Sequence, residues 1–184
     1  MGVPAKAKRK TRATADLAPL CPYCGGPATL TMGADIYQNK PKLAEKHFWI
    51  CRPCDAWCGC RGATRKPLGF FANAELRRAR MLLHKDVLDP LWEGAVAALV
   101  YEPEDEKARI IIRSTARSRV YGFLAFKLGI PRQECGTELF DIARCRLAYA
   151  ILRDTDYAEV RAVMKAMKEP DDEKAKAHPP GGAA

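Results

Sequence analysis

A chain of 184 residues is long enough to bury a core of its own or to divide into two small units, and it holds no apolar run of the roughly 18 residues a membrane-spanning helix needs. Thirty-one Lys and Arg against 22 Asp and Glu give a formal charge of +9, a balance that favours polyanionic partners, chiefly nucleic acid, with ordinary solubility charge as the alternative. Eight cysteines, half of them clustered at metal spacing, together with a polar N-terminus, fit a reducing cytoplasm better than secretion.

In chain order, residues 1–16 mix Lys6, Lys8, Arg9, Lys10 and Arg12 with alanine and threonine and show no apolar periodicity. They read as a disordered basic arm, either a phosphate-binding one or a solubilising leader. Residues 17–72 contain Cys21-Pro-Tyr-Cys24-Gly-Gly and, separated from Cys24 by twenty-six residues, Cys51-Arg-Pro-Cys54. Two Cys-x-x-Cys pairs supply four thiolates, the complement of a tetrahedral Zn²⁺ with Zn–S bonds of roughly 2.3 Å. The prolines and glycines suit tight knuckles whose amides turn back toward sulfur. A disulfide pair or a thioredoxin-like motif usually shows one such pair rather than two. Cys21, Cys24, Cys51 and Cys54 are therefore expected to hold one structural zinc.

The long spacer must fold between the knuckles. Thr29-Leu30-Thr31 with Ile36-Tyr37, and then His47-Phe48-Trp49-Ile50, have strand propensity, with turn chemistry at Gly33 and Asn39-Lys40-Pro41. A zinc ribbon with a short antiparallel sheet results. Ala56 to Gly62 reads as a turn-rich segment in which Cys58 and Cys60 either pack as small apolar groups or replace a ligand; packing is favoured because four ligands close a structural site.

Residues 73–168 read as helical. Asn73 caps a helix from Ala74 to about Leu88, with Leu76, Ala79, Leu83 and Val87 on one stripe and Arg77, Arg80 and His84 opposite, flanked by Arg78 and Lys85. The cations of that face, Arg77, Arg78, Arg80 and Lys85, join Lys8, Arg9, Lys10 and Arg12 as candidate nucleic-acid contacts; a plain solvated face is the alternative. His84 reads as a surface histidine rather than a metal ligand. Pro90 is expected to break this helix after Asp89, and Trp92 to anchor core. A short helix over 93–100 and an acidic loop over 101–106 follow. Residues 107–113 are ambiguous between strand and helix and lean to helix. A helix from Thr115 to Leu128 points Val120, Phe123, Leu124 and Leu128 inward and stops at Gly129, with Arg113, Arg117 and Lys127 outside. Asp141 caps a helix over 142–153 and Asp156 one to about Lys168. Residues 169–184, ending Pro-Pro-Gly-Gly-Ala-Ala, read as a disordered tail. The fold class is α+β: an N-terminal four-cysteine zinc ribbon with a short antiparallel sheet, packed with a C-terminal region of four to five α-helices.

The chain resembles a zinc-finger-containing domain family of unknown function from bacteriophage and prophage genomes. The resemblance covers roughly residues 20–153 and rests on the two knuckles, Pro67-Leu-Gly, Ala74-Glu-Leu-Arg-Arg-Ala-Arg80, Asp89-Pro-Leu-Trp92, Tyr121-Gly-Phe-Leu-Ala125 with Leu128-Gly-Ile130, and Glu134-Cys135 leading to Phe140-Asp141 and Cys145. It implies a zinc ribbon fused to a small helical region, of phage origin and acting in the host cytoplasm, and brings no assigned reaction. The family pattern implies a histidine after Cys135, where this sequence has Gly136, so Cys135 and Cys145 are taken as core-facing. The stretch 94–114 is longer than the pattern implies and reads as an insertion.

No His-Glu-x-x-His, Gly-rich phosphate loop or Gly-x-Ser-x-Gly occurs, and four cysteines leave a zinc no open position. The chain is expected not to be an enzyme. Three functions remain in order: nucleic-acid binding, an adaptor or inhibitor docking on a host machine such as RNA polymerase or a defence complex, and a metal-dependent nuclease.

Overall fold

In a computed structural model, residues 18–62, 64–98, 103 and 105–167 are described. The basic arm and the C-terminal tail read from the sequence lie outside the described residues.

The ribbon is an antiparallel meander of β1 (Thr29–Met32), β2 (His47–Cys51) and β3 (Ala56–Gly59), in that order across the sheet. Trp49 of β2 faces Leu30 on one side and Cys58 on the other. Two features depart from the sequence reading. Ile36 and Tyr37 are not strand, because β1 ends at Met32 and a 3₁₀ turn, Gly33–Asp35, follows. The Asp35 carboxylate seals that turn by accepting from the Thr31 hydroxyl and the Met32 amide, and the amides of Ile36 and Tyr37 fold back onto the Gly33 carbonyl. A short helix, α1 (Pro41–Ala44), completes the connection to β2. The second departure is β3, which lies in the segment read as turn-rich. Its alternation is genuine: Ala56 and Cys58 are buried, while Trp57 and Gly59 are half-buried. Short length and two small residues hide that period from composition.

The ribbon has its own small core of Cys21, Ala28, Trp49, Cys51, Ala56, Cys58 and Phe71. A larger core lies among the helices. Asn73 caps α2 (Ala74–Leu82), its side chain accepting from the Leu76 amide at 2.9 Å. The helix does not break at Pro90. It passes through a π-helical stretch, Leu83–Leu88, into α3 (Asp89–Glu93), with Asp89 in right-handed helical geometry and its amide bonded to the His84 carbonyl five residues back. In an α-helix a proline ring meets the carbonyl four residues earlier. The wider π turn moves that carbonyl aside, and such turns are common near functional sites.

After α4 (Ala95–Ala98), residues read as an uncertain stretch and then a helix from Thr115 form one 23-residue helix, α5 (Glu106–Leu128). Asp105, read from the sequence as part of an acidic loop, caps it by accepting from the Ala108 amide at 2.7 Å. Val120, Phe123 and Leu124 are fully buried, and Gly129 ends the helix in the left-handed region. Two 3₁₀ turns, Arg132–Glu134 and Thr137–Leu139, lead to α6 (Ile142–Arg153) and α7 (Tyr157–Ala166), capped by Asp141 and Asp156. Cys135 and Cys145 are buried in this core, as expected.

The two cores meet through backbone. Ala72 and Trp57 exchange both amide–carbonyl bonds, at 2.9 and 3.2 Å, and the Phe70 amide donates to the Glu138 carbonyl at 2.9 Å. Gly69 is where the ribbon's exit strand passes the Thr137–Leu139 turn: a Cβ there would lie 2.8 Å from the Glu138 carbonyl carbon, which no side-chain shift relieves. Among the described residues, no helix is long and apolar enough to cross a membrane.

Candidate metal centre

The sulfurs of Cys21, Cys24, Cys51 and Cys54 all lie within 4.8 Å of one another, with Cys24 Sγ and Cys51 Sγ 3.6 Å apart. Tetrahedral zinc with Zn–S bonds of about 2.3 Å places its sulfurs roughly 3.8 Å apart, so the donor set fits one such ion. Four thiolates fill the coordination shell and match a closed structural site. Among the described residues this is the single group of this kind, and neither Cys58 nor Cys60 belongs to it. Cys58 is buried in the ribbon core and Cys60 packs against it, which bears out the packing reading.

Each knuckle turns the same way. In the first, the Gly25 amide donates to the Cys21 carbonyl and the Cys21 amide to the Gly26 carbonyl, both at 2.8 Å, with Gly25 at φ +71°. In the second, the residue after the last cysteine is Asp55, at φ +46°, the one non-glycine with positive φ among the described residues. A left-handed residue costs little for glycine and about 1 kcal/mol or more for others. A Cβ at Gly25 would meet nothing within 4 Å, so Gly25→Ala should cost only that backbone term, about 1 kcal/mol; chemical denaturation of the zinc-loaded protein measures it.

The thiols are electrostatically unequal. Burial opposes ionisation of Cys21, but the amides of Tyr23 and Cys24 and the Cys51 and Cys54 thiols outweigh it and bring Cys21 down to about 7. Contact with Cys24, then burial, pushes Cys54 up to about 12. Four adjacent thiolates repel one another unless a cation sits among them. Zinc binding must therefore displace protons, and acidification favours release.

The basic helix is placed differently from the expectation. Arg77 and Arg80 turn inward to tie the helix to its neighbours. The Arg77 guanidinium stacks on Trp57, with Cζ 3.4 Å from the ring centroid, and donates to the Asp55 carbonyl at 2.6 Å, the Asp55 carboxylate at 2.7 Å and the Ala72 carbonyl at 2.9 Å. That clamp holds Asp55 in its strained turn. Arg80 is half-buried and donates to the carbonyls of Phe140 at 2.8 and 3.1 Å, of Glu138 at 2.9 Å and of Phe70 at 3.5 Å. Burial disfavours its charge and lowers its pKa, and these carbonyls repay the lost hydration. His84 is half-buried rather than on an open face: Nδ1 meets Asp89 Oδ1 at 3.0 Å and Nε2 meets the Thr137 hydroxyl at 2.9 Å. Arg78 and Lys85 are placed on the outside of the helix.

Tertiary partners at Asp55, Phe70, Glu138 and Phe140 redirect these side chains, and a helical wheel contains none of them. One connection had a sequence signal that was missed. Tyr23, inside the first knuckle, donates to the Phe71 carbonyl at 3.1 Å, and a large aromatic between two ligands of a tight turn must project away from the metal.

A family profile described as a zinc-finger-containing domain matches residues 18–155. No curated protein and no solved structure matches the chain.

Proposed function

The chain belongs to the zinc-finger-containing domain family, and from that premise we propose that it binds nucleic acid, using the end of the ribbon sheet opposite the metal. The observation that carries this reading is a rim of cations. Lys40, Lys42 and Lys46 stand in the connection from β1 to β2, and Arg61, Arg65 and Lys66 in the loop that leaves β3. The Gly33 amide donates to Lys46 and the Arg61 amide to Lys66 within the loops, while the Cys60 amide donating to His47 and Trp49 Nε1 donating to Arg65 tie the second loop to β2. Asp35 and Glu45 are the acidic residues of these loops. Exposed cations grouped on neighbouring loops suit phosphate contacts, which supply affinity without base specificity.

In this reading the metal is a staple that aligns the strands and so places the rim. Arg78 and Lys85 remain available for further phosphate contacts, as does the charge of Lys8, Arg9, Lys10 and Arg12. Arg77 and Arg80 drop out of the binding surface because their donors are occupied.

Fluorescence anisotropy of labelled single- and double-stranded oligonucleotides tests the proposal. Affinity should fall steeply between about 50 and 200 mM salt. Replacing Lys46, Arg61 and Lys66 by glutamine should weaken binding at least tenfold and flatten the log–log salt slope by about 3. Absence of binding at low salt, or binding indifferent to salt, would refute it, and the adaptor reading would then be tested by seeking one stoichiometric protein partner.

A further inference from the structure

A second feature stands apart from both metal and rim. Ser114, Arg117, Ser118 and Tyr121 occupy one stripe of α5, at spacings of three, four and seven residues, and line an open cavity of about 340 Å³ bordered on the other side by Arg132, Cys135, Gly136 and Glu138. The size lies at the lower end of small-molecule sites. An amphipathic helix ordinarily turns such a stripe to open solvent. Ser114, Arg117 and Ser118 are exposed here too, and residues 132–138 form the facing side of a groove beside them.

The cations are arranged on aromatic rings. Arg117 Cζ lies 5.7 Å and Arg132 Cζ 5.1 Å from the Tyr121 ring centroid, and Arg117 also lies 5.9 Å from that of Trp92. Among the described residues neither guanidinium forms an ion pair with a carboxylate, whereas neighbouring Arg113 is paired with Glu93 at 3.6 Å. These contacts keep Arg117 and Arg132 beside the rings and leave N–H donors for a ligand. Glu138 supplies the contrast. Its carboxylate lies over Gly136, with oxygens 2.5 and 2.8 Å from where a Cβ would be, so the bare glycine is what makes room for it. The cavity thus offers two guanidiniums, two serine hydroxyls and one carboxylate.

Behind it, hydrogen bonds connect the wall. The Asp89 carboxylate accepts from Trp92 Nε1 at 3.1 Å and from His84 Nδ1 at 3.0 Å, and in that tautomer His84 Nε2 accepts a hydrogen bond from the Thr137 hydroxyl at 2.9 Å. Burial pushes the Tyr121 phenol up, and Arg117 and Thr137 beside it act in the opposite direction. Thr137, His84 and Asp89 have the order of a hydrolase triad, but Thr137 is only 9% exposed, which keeps its hydroxyl from a substrate. The relay instead fixes the Thr137 turn and with it Gly136 and Glu138 (positioning residues for the cavity).

We propose that this cavity binds a nucleoside monophosphate, with the phosphate on Arg117, Arg132 and the two serines and a hydroxyl or amino donor of the nucleoside on Glu138. A bidentate pair of arginines matches phosphate geometry, and a carboxylate that would repel a bare phosphate selects a ligand carrying a donor. The source is either a free nucleotide or the 5′ end of a strand.

Calorimetric titration of the zinc-loaded full chain with adenosine 5′-monophosphate, adenosine and inorganic phosphate tests this, with Arg132→Gln, Arg117→Gln and, as a control outside the cavity on α7, Arg161→Gln. The monophosphate should bind at least tenfold more tightly than adenosine or phosphate, and each cavity variant should lose at least tenfold while the control loses none. Thermal melting of each variant checks folding, and Ser118→Ala, a milder change, should lower affinity without altering the melt. A 5′-phosphorylated oligonucleotide that outcompetes its 5′-hydroxyl twin only in the wild type assigns the site to strand ends; monophosphate binding alone assigns it to free nucleotide. Equal affinities for monophosphate and adenosine, or cavity variants that bind like wild type, would overturn the proposal. Salt-dependent binding of the 5′-hydroxyl oligonucleotide by Arg132→Gln would persist in either case, because the rim is independent of the cavity.

Discussion

Substituting Cys24 by serine, or stripping the metal with a chelator, is expected to unfold the ribbon and leave much of the helical core in place. Metal binding in such modules contributes on the order of 10 kcal/mol to folding, comparable with the entire stability of a typical domain. The ribbon core cannot replace it. Its seven buried residues include three cysteines and two alanines, small groups that bury little apolar area. The helical core contains Phe123, Phe140, Leu83, Leu88, Leu124, Val120 and Val160, all fully buried, and no metal ligand. Amide hydrogen exchange separates the two. The amides of β1, β2 and β3 should lose protection on chelation, while those of α5 around Val120 to Leu124 keep most of theirs. Unchanged protection in the sheet would contradict a structural role for the metal.

The second large effect concerns Arg80. Arg80→Ala should destabilise the protein by about 3 kcal/mol, because carbonyls of Phe140, Glu138 and Phe70 lose a charged donor inside a half-buried junction. Lysine should not rescue it. One ammonium has no fixed fork with which to reach carbonyls on separate chain segments. If Arg80 were instead part of an open phosphate-binding face, Arg80→Ala would leave the melting temperature unchanged and weaken nucleic acid binding. Thermal denaturation beside anisotropy of the same variant decides which.

The knuckles and the caps were legible because their causes are local. Four cysteines at that spacing admit few arrangements, Asn73, Asp141 and Asp156 each bond an amide three residues on, and Gly129 supplies the left-handed stop. What was not legible depends on partners distant in sequence. Arg77 finds Asp55 twenty-two residues away and Arg80 finds Phe140 sixty residues away, so a helical wheel assigns them to solvent. The continuation of the helix through Pro90 needed a π turn that no propensity encodes. Arg117 was read only as an outward cation, and its grouping with Arg132 and Glu138 depends on a segment fifteen and more residues further along.

The central claim is a closed site of four thiolates holding one zinc. X-ray absorption at the zinc edge, with metal content measured on protein purified under reducing conditions, tests it most directly. One zinc per chain with four sulfur neighbours at about 2.3 Å is expected. An oxygen or nitrogen in the first coordination sphere, or protein that folds with no zinc, would contradict it.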